Sequence, residues 1–493
     1  MLYTSTRDSS LKYSAAKCFV QGISAEGGLF VPESFPQISS DEIATMSEMS
    51  YSERAFKVLS RYLTDFTEGE LKDCIEGAYG SKFDEQGVAP LHFIDDSTAV
   101  MELYHGPTLA FKDVALQILP HFLKHAKVKE NEDALILILV ATSGDTGKAA
   151  LEGFSDVPGM AISVFFPNQG VSLMQQLQMT TQEGDNVFVS AVNGNFDDAQ
   201  TGVKMIFADE SIKAELLKRN IKLSSANSIN WGRLVPQVVY YFSAYADMLK
   251  NGKIKNGDKI NFVVPTGNFG DILAGYYAMR MGLPVNKLIC ASNKNKVLTE
   301  FFETGVYNAN REFYKTQSPS MDILISSNLE RLLFELSGRD DKFVGGLMAK
   351  LKETGSYKIT DEMHKELVSV FAAGYADEKA TSDAIKNMWD KHSYCMDTHT
   401  AVGAKVYEDY KAETGDTTPT VLLSTASPYK FPTSVVAAID GSASEDDFES
   451  SACLKAKGVK QPEQISALKT KAILHKTVCD KEEMPQIVLR SVK

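Results

Sequence analysis

The chain has 493 residues, too many for one ordinary hydrophobic core, so two or three domains are expected. A formal net charge of -13 without any Lys/Arg-rich run argues against a nucleic-acid or anionic-membrane binder. Six scattered cysteines without a C-x-x-C pair argue against a disulfide framework or a structural zinc site and fit a cytoplasmic protein.

Residues 1–95 read as a mainly helical domain. The start, "MLYTSTRDSSLKYS", lacks the apolar stretch of a secretory signal. In "SYSERAFKVLSRYL", Ser50 and Glu53 form a capping box, and Phe56, Leu59 and Leu63 fall on one helical face. Thr67 and Glu70 repeat the capping pattern before a second helix.

The texture then changes. Residues 96–440 alternate short apolar runs with polar loops and amphipathic stretches. "ALILILVA" leads into "TSGDTG", "AISVFF" into "PNQG", "VFVSAV" into "NGNFDDAQ" and "INFVV" into "PTGNFGD"; "KLICAS" and "TVLLS" are further strands. Strands alternating with helices indicate an α/β fold, with parallel sheets covered on both faces and ligands bound at the carboxyl ends of the strands. "ALILILVA" is too short to span a bilayer and suits a strand buried on both faces. Residues 441–493 form a C-terminal segment packing on this core, and its Ser-rich acidic patch, "DGSASEDDFESS", reads as a solvated, mobile loop.

Several loops carry chemistry-bearing residues. In "LYHGPTLAFKDVAL", Lys112 sits between Phe111 and Asp113, just after Leu109 and Ala110. A lysine in an apolar sleeve loses its proton more easily, and a neutral amine is a nucleophile. In "VVPTGNFGDILAGYY", Gly267, Asn268, Phe269 and Gly270 follow a buried strand and open a helix near Asp271; such a turn favours an anion, and it also serves as a plain tight turn. Thr142, Ser143, Gly144 and Thr146 can wrap a carboxylate or simply cap a helix. Asn227, Ser228, Asn230 and Arg233 gather amide, hydroxyl and guanidinium groups that match phosphate, although a lone Arg is more often a surface residue. Ser424 and Thr425 end a strand with hydroxyls suited to a heterocyclic nitrogen.

Other signals are weaker. His121 and His125 have helical spacing but no H-E-x-x-H context or third ligand, so no metal site is assigned. Asp397 and His399 read equally as an acid–base pair or a packed helix start. No G-x-S-x-G elbow, dinucleotide G-x-G-x-x-G or G-x-x-x-x-G-K-[ST] phosphate loop appears.

Pyridoxal 5'-phosphate (PLP) accounts for the loops together: a lysine for a Schiff base, a glycine-rich phosphate cradle, a partner for the ring nitrogen and a loop for an amino-acid carboxylate. At these residues the chain resembles the threonine synthase family of tryptophan-synthase-β-like, fold type II PLP enzymes, in its longer branch with an extra N-terminal domain. "EGGLFVPE", "LYHGPTLAFKD", "ATSGDTG", "NGNFDDAQ", "NSINWGR", "PTGNFGD", "SPSMDI" and "STASPYKFP" carry the likeness over most of the chain. The resemblance implies two parallel-sheet α/β domains and conversion of O-phospho-L-homoserine and water to L-threonine and phosphate, the last step of threonine biosynthesis. It implies that Lys112 is the catalytic Schiff-base residue and that Gly267, Asn268, Phe269, Gly270 and Asp271 bind the cofactor with Asp145 and Thr425. Thr142, Ser143, Gly144 and Thr146 would hold the substrate carboxylate, and Ser228, Asn230 and Arg233 its phosphate. Alternatives are a dehydratase or phospho-lyase of the same fold, or an inactive regulatory homologue. The expected partner is a small-molecule substrate, with neither nucleic acid nor membrane, and oligomeric state is left open.

Overall fold

The strand Leu135–Ala141 shows how the apolar runs are used. Ile136, Ile138 and Val140 enter one core cluster, while Leu137 and Leu139 enter another on the opposite face. A strand with no polar face must be covered on both sides. It lies inside a five-stranded parallel sheet in the order Thr477–Cys479, Val187–Val192, Met160–Pro167, Leu135–Ala141, Ile221–Ser224. This computed structural model describes residues 1–84, 87–142, 144–169 and 171–492.

A second, six-stranded sheet runs Phe371–Tyr375, Val285–Ser292, Ile260–Pro265, Thr420–Ser424, Thr98–Glu102, Leu91–Phe93. Its first five strands are parallel and the last is antiparallel. The expected two parallel-sheet α/β arrangement is present. The buried helix Trp231–Lys250 shares the main core with Phe262, Val264 and the N-terminal helix residues Val58, Leu59 and Tyr62.

Both expected capping boxes form, at the helices Tyr51–Tyr62 and Glu68–Tyr79. Leu59 and Leu63 are buried as the periodicity predicts, but Phe56 lies on the flank and the buried face runs through Ala55, Val58 and Tyr62. The N-terminal region also contains a three-stranded antiparallel sheet of Asp8–Tyr13, Tyr3–Ser5 and Phe30–Pro32, which the polar "YTSTRDSSLKY" does not announce. A boundary at residue 95 would separate Leu91–Phe93 from its hairpin partner Thr98–Glu102.

The acidic patch is not a loop throughout. Asp446 caps the helix Asp447–Ala456 by accepting from the Phe448 and Glu449 N–H groups. Asp447 accepts from the Thr433 hydroxyl at 2.9 Å and from the Met174 N–H at 3.4 Å. Acidic residues in a first helical turn satisfy free N–H groups and complement the helix dipole, which is why this charge run folds. Among the described residues, no helix is long and apolar enough to cross a membrane.

Candidate active site

The polar loops meet at the carboxyl ends of strands from both sheets. The segment before Lys112 pairs with the segment after the strand Thr420–Ser424. Ala110 and Ala426 form an antiparallel bridge, the Phe111 N–H donates to the Thr425 carbonyl at 2.8 Å, and the Ser427 N–H donates to the Leu109 carbonyl at 3.0 Å. These ties set Lys112, at the start of the short helix Lys112–Leu116, beside Thr425. Asp113 points back into its own loop, accepting from the Thr108 N–H at 2.8 Å and hydroxyl at 2.6 Å. Gly106 leaves room for this, since a Cβ there would lie 2.5 Å from the Asp113 side chain. Burial raises the Asp113 carboxyl to about 6.

Lys112 Nζ stands 3.7 Å from Asp145 Oδ2, donates to Ser320 Oγ at 3.4 Å and lies 5.0 Å from the centre of the Phe111 ring. Burial pushes its amine below the usual lysine value against the pull of Asp145, and the charges of Lys430 and Arg233 push the same way. Asp145 opens the helix Asp145–Phe154. Burial alone would raise its carboxyl, but the ammonium groups of Lys430 and Lys112 hold it well below the usual carboxylate range. Lys430 is fully buried; its Nζ pairs with Asp145 Oδ1 at 2.9 Å and donates to Gln178 Oε1 at 2.7 Å and to the Thr108 carbonyl at 3.2 Å. Asp145 therefore bonds within the protein, to Lys430, Ser320 and Gln175.

The other loops are built around backbone. The Thr142 hydroxyl accepts from the Gly144 and Gly147 N–H groups, both at 3.0 Å, and so folds its own turn. Gly144 has φ +153°, and a Cβ there would strike the Gln175 amide at 2.4 Å. Thr146 is half-buried in the first turn of the following helix, and Ser143 lies outside the described residues. After the strand Ile260–Pro265, Phe269 adopts a left-handed φ of +63° with its ring buried against Phe302 and Phe371. The helix Gly270–Arg280 then starts with no side-chain cap, leaving its first N–H groups available for an anion. Asn268 is exposed, and its carbonyl accepts from the Asn328 N–H at 3.1 Å. The Asp271 carboxylate faces away toward Tyr240 and Tyr241, whose hydroxyls donate to Oδ1 at 2.6 and 2.9 Å, and burial raises it to about 6. Any role of Asp271 in the loop falls to its backbone.

Arg233 sits in the first turn of the helix Trp231–Lys250 and is 3% exposed. Nη1 donates to the Ala226 carbonyl, Nε has no partner, and no carboxylate pairs with the guanidinium among the described residues. Burial pulls it down to about 10. The Asn230 Oδ1 accepts from the Gly232 N–H at 2.9 Å and its Nδ2 donates to the Phe19 carbonyl at 3.1 Å. Its amide thus caps the helix and ties it to the N-terminal region. Ser228 is half-buried, with its hydroxyl 3.4 Å from Asn227 Oδ1. The Thr425 hydroxyl has no partner among the described residues.

A family profile described as "Threonine synthase N terminus" matches residues 2–79, and one described as "Threonine synthase, C-terminal" matches residues 400–486. The chain is 38% identical over 436 residues to the threonine synthase of Pseudomonas aeruginosa, covering 88% of this chain and 90% of that protein. The chain belongs to the threonine synthase family. It is also 40% identical over 446 residues to threonine synthase-like 1 of Macaca fascicularis, covering 88% of this chain but spanning only 59% of that protein. The crystal structure of PLP-bound threonine synthase from Brucella melitensis superposes with a TM-score of 0.89 at 38% identity, covering 100% of each chain.

The threonine synthase profiles cover the two ends of the chain, whereas the clustered loops lie mainly between them. Two contributors to the cluster, Ser320 and Lys430, are not singled out from sequence, while Asp397 and His399 are noted there without an assigned role. Lys430 carries a readable signal, an ammonium between Tyr429 and Phe431, whereas Lys112 has an aromatic neighbour on one side only. Ser320, within "SPSMDI", carried none beyond the family likeness.

Proposed function

We propose that this chain is a threonine synthase, a PLP-dependent carbon–oxygen lyase converting O-phospho-L-homoserine and water to L-threonine and phosphate in the cytoplasm. Arg233 carries the choice of a phosphorylated substrate. A buried guanidinium with an unpaired Nε and no carboxylate partner is costly unless a ligand supplies the negative charge. Its charge acts on Lys112, so the anion would lie within the electrostatic reach of the reactive amine.

The residues fit PLP. The uncapped start of the helix Gly270–Arg280 offers N–H groups to a phosphate. The Thr425 hydroxyl is available to a ring nitrogen, and Lys112 has a depressed pKa. Bound PLP supplies an electrophilic carbon for amines and an electron sink for charge developing at the substrate Cα.

The chain supplies the rest. In its neutral form Lys112 Nζ can take a proton from the substrate Cα, and the positive charges of Lys430 and Arg233 favour that form. Gly144 and the start of the helix Asp145–Phe154 are assigned to the substrate carboxylate together with Thr142, Ser143 and Thr146, and Ser228 joins Arg233 at the phosphate. Phe111, beside the amine, limits access of water.

The deciding experiment incubates purified PLP-loaded protein with O-phospho-L-homoserine and quantifies threonine, 2-oxobutanoate and phosphate. Threonine and phosphate in equal amounts support the assignment. 2-Oxobutanoate as the main product would instead identify a phospho-lyase, and no turnover would favour a homologue without this activity.

A further inference from the structure

Asp397 and His399 stand at the start of the helix Thr398–Thr414, and the chemistry above makes no use of them. Asp397 is fully buried; Oδ1 accepts from the Thr400 N–H at 3.0 Å, and Oδ2 accepts from the His399 N–H at 2.9 Å. The same Oδ2 lies 2.7 Å from His399 Nδ1. On the other edge of the ring, His399 Nε2 lies 3.1 Å from the Ser320 backbone nitrogen. An N–H pointing at Nε2 requires a lone pair there, so the ring proton sits on Nδ1, where Asp397 accepts it. Phe431 covers the ring, with centroids 4.9 Å apart.

A capped helix start would need no more than Asp397. Ser320 gives the histidine its significance, because three parts of the site meet there. Its hydroxyl donates to Asp145 Oδ2 at 3.0 Å and accepts from Lys112 Nζ at 3.4 Å. Its carbonyl lies 2.9 Å from where a Cβ on Gly267 would stand. The Thr398 hydroxyl adds a second tie from the same helix start, donating to the Gln317 carbonyl at 2.6 Å.

We propose that His399, oriented by Asp397, is a positioning residue that fixes the Ser320 peptide so that the Ser320 hydroxyl holds the Lys112 amine beside Asp145. The inference rests on the proposed function only in taking Lys112 as the reactive amine. When the Ser320 hydroxyl donates its hydrogen bond to Asp145, an oxygen lone pair is left to accept from a Lys112 N–H. An amine with one N–H held this way keeps its own lone pair within a narrow arc, which favours proton transfer at a fixed atom. Asp145, kept ionised by Lys430, is the anchor of the chain of contacts.

The test uses PLP-loaded wild type, Ser320→Ala, His399→Asn, His399→Gln and the double variant Ser320→Ala/His399→Asn. Melting of each reports folding. The readouts are kcat and KM with O-phospho-L-homoserine and the pH titration of the visible absorbance band. Ser320→Ala and His399→Asn are each expected to lower kcat about tenfold or more with KM within about twofold. Both should displace the spectral titration in the same direction. The double variant should be no worse than the weaker single variant, because both changes act through one hydroxyl. His399→Gln, whose amide oxygen can accept the Ser320 N–H, should recover most of kcat. Losses that multiply in the double variant, or a Ser320→Ala titration identical to wild type, would overturn the proposal. Should His399→Asn fail to fold, the Ser320→Ala titration alone decides. The spectral titration needs no substrate, so a wild-type protein that fails to make threonine would refute the reaction and leave this inference standing or falling on its own.

Discussion

Replacing Arg233 by methionine separates a group kept for a ligand from one kept for the fold. The native guanidinium is buried, makes one hydrogen bond to the Ala226 carbonyl and leaves Nε unpaired. Its fall from an ordinary 12.5 to about 10 means that the fold disfavours the charged form by about 3 kcal/mol. Methionine retains an apolar stem of similar reach, removes the charge and loses one hydrogen bond of about 1 kcal/mol. The balance predicts a Met variant as stable as wild type or more stable by about 1–2 kcal/mol. An anion that pairs with Arg233 relieves the burden, so inorganic phosphate should raise the wild-type melting temperature and leave that of Arg233→Met unchanged. A lost charged hydrogen bond of about 1.5–3 kcal/mol lowers kcat/KM for O-phospho-L-homoserine at least about tenfold. Turnover of L-serine should change much less, and the visible absorbance of bound PLP should persist. Strong destabilisation of Arg233→Met with equal losses on both substrates would refute the reasoning, because the charge would then be serving the fold.

Lys112→Ala should abolish the visible absorbance of the purified protein and cut turnover by orders of magnitude; a variant that keeps both removes Lys112 from the chemistry. Gly267→Ala brings a Cβ to 2.9 Å from the Ser320 carbonyl, so PLP retention on dialysis should fall, whereas a Cβ at Gly270 meets nothing nearer than 3.4 Å. Gly270→Ala should therefore leave melting unchanged, and any loss of PLP in it reports the approach of the ligand alone. His105 supplies a pH test. Burial lowers its pKa, but hydrogen bonds to Asp84 at 2.9 Å and Glu102 at 2.8 Å outweigh that and raise it to about 9. A raised folded value gives stability that is full below the unfolded pKa of about 6.5 and is lost as pH rises through about 9. His105→Gln should thus destabilise by up to about 3 kcal/mol near pH 6 and by little near pH 10, as read from denaturation midpoints. A loss independent of pH would mean that the ring acts by packing.

The sheets were legible where strands are buried on both faces. "ALILILVA" and "INFVV" have no polar side and admit few other readings. The hairpin at Tyr3–Ser5 and Asp8–Tyr13 was not legible, because its second strand is largely exposed and polar and owes its form to pairing. The edge strand Thr477–Cys479 escaped for a similar reason: three residues show no period, and its neighbour Val187–Val192 lies far back in the chain. At the candidate site, Lys112 and the glycine loop stand out in the sequence because an ammonium beside a phenylalanine and glycines after a buried strand are local anomalies. His399 could not be assigned because its meaning lies in a bond to Ser320, 79 positions away. Asn230 reads from sequence as ligand chemistry, an amide near an arginine, and its use as a helix cap shows only in the fold.

The order in which the strands lie in the six-stranded sheet bears on how the protein is made. Thr98–Glu102 pairs with Thr420–Ser424, which in turn pairs with Ile260–Pro265. A ribosome must therefore deliver about residue 424 before the early strand gains its parallel neighbour. Four strands of the other sheet, between Leu135 and Ser224, are by contrast close in sequence and can pair while translation continues. The lysine loop bridges to Ala426 and Thr425, so the Lys112 amine enters its final setting only once that segment has been made. A chain that stops short of about residue 430 thus lacks the Thr425 and Lys430 side of the pocket.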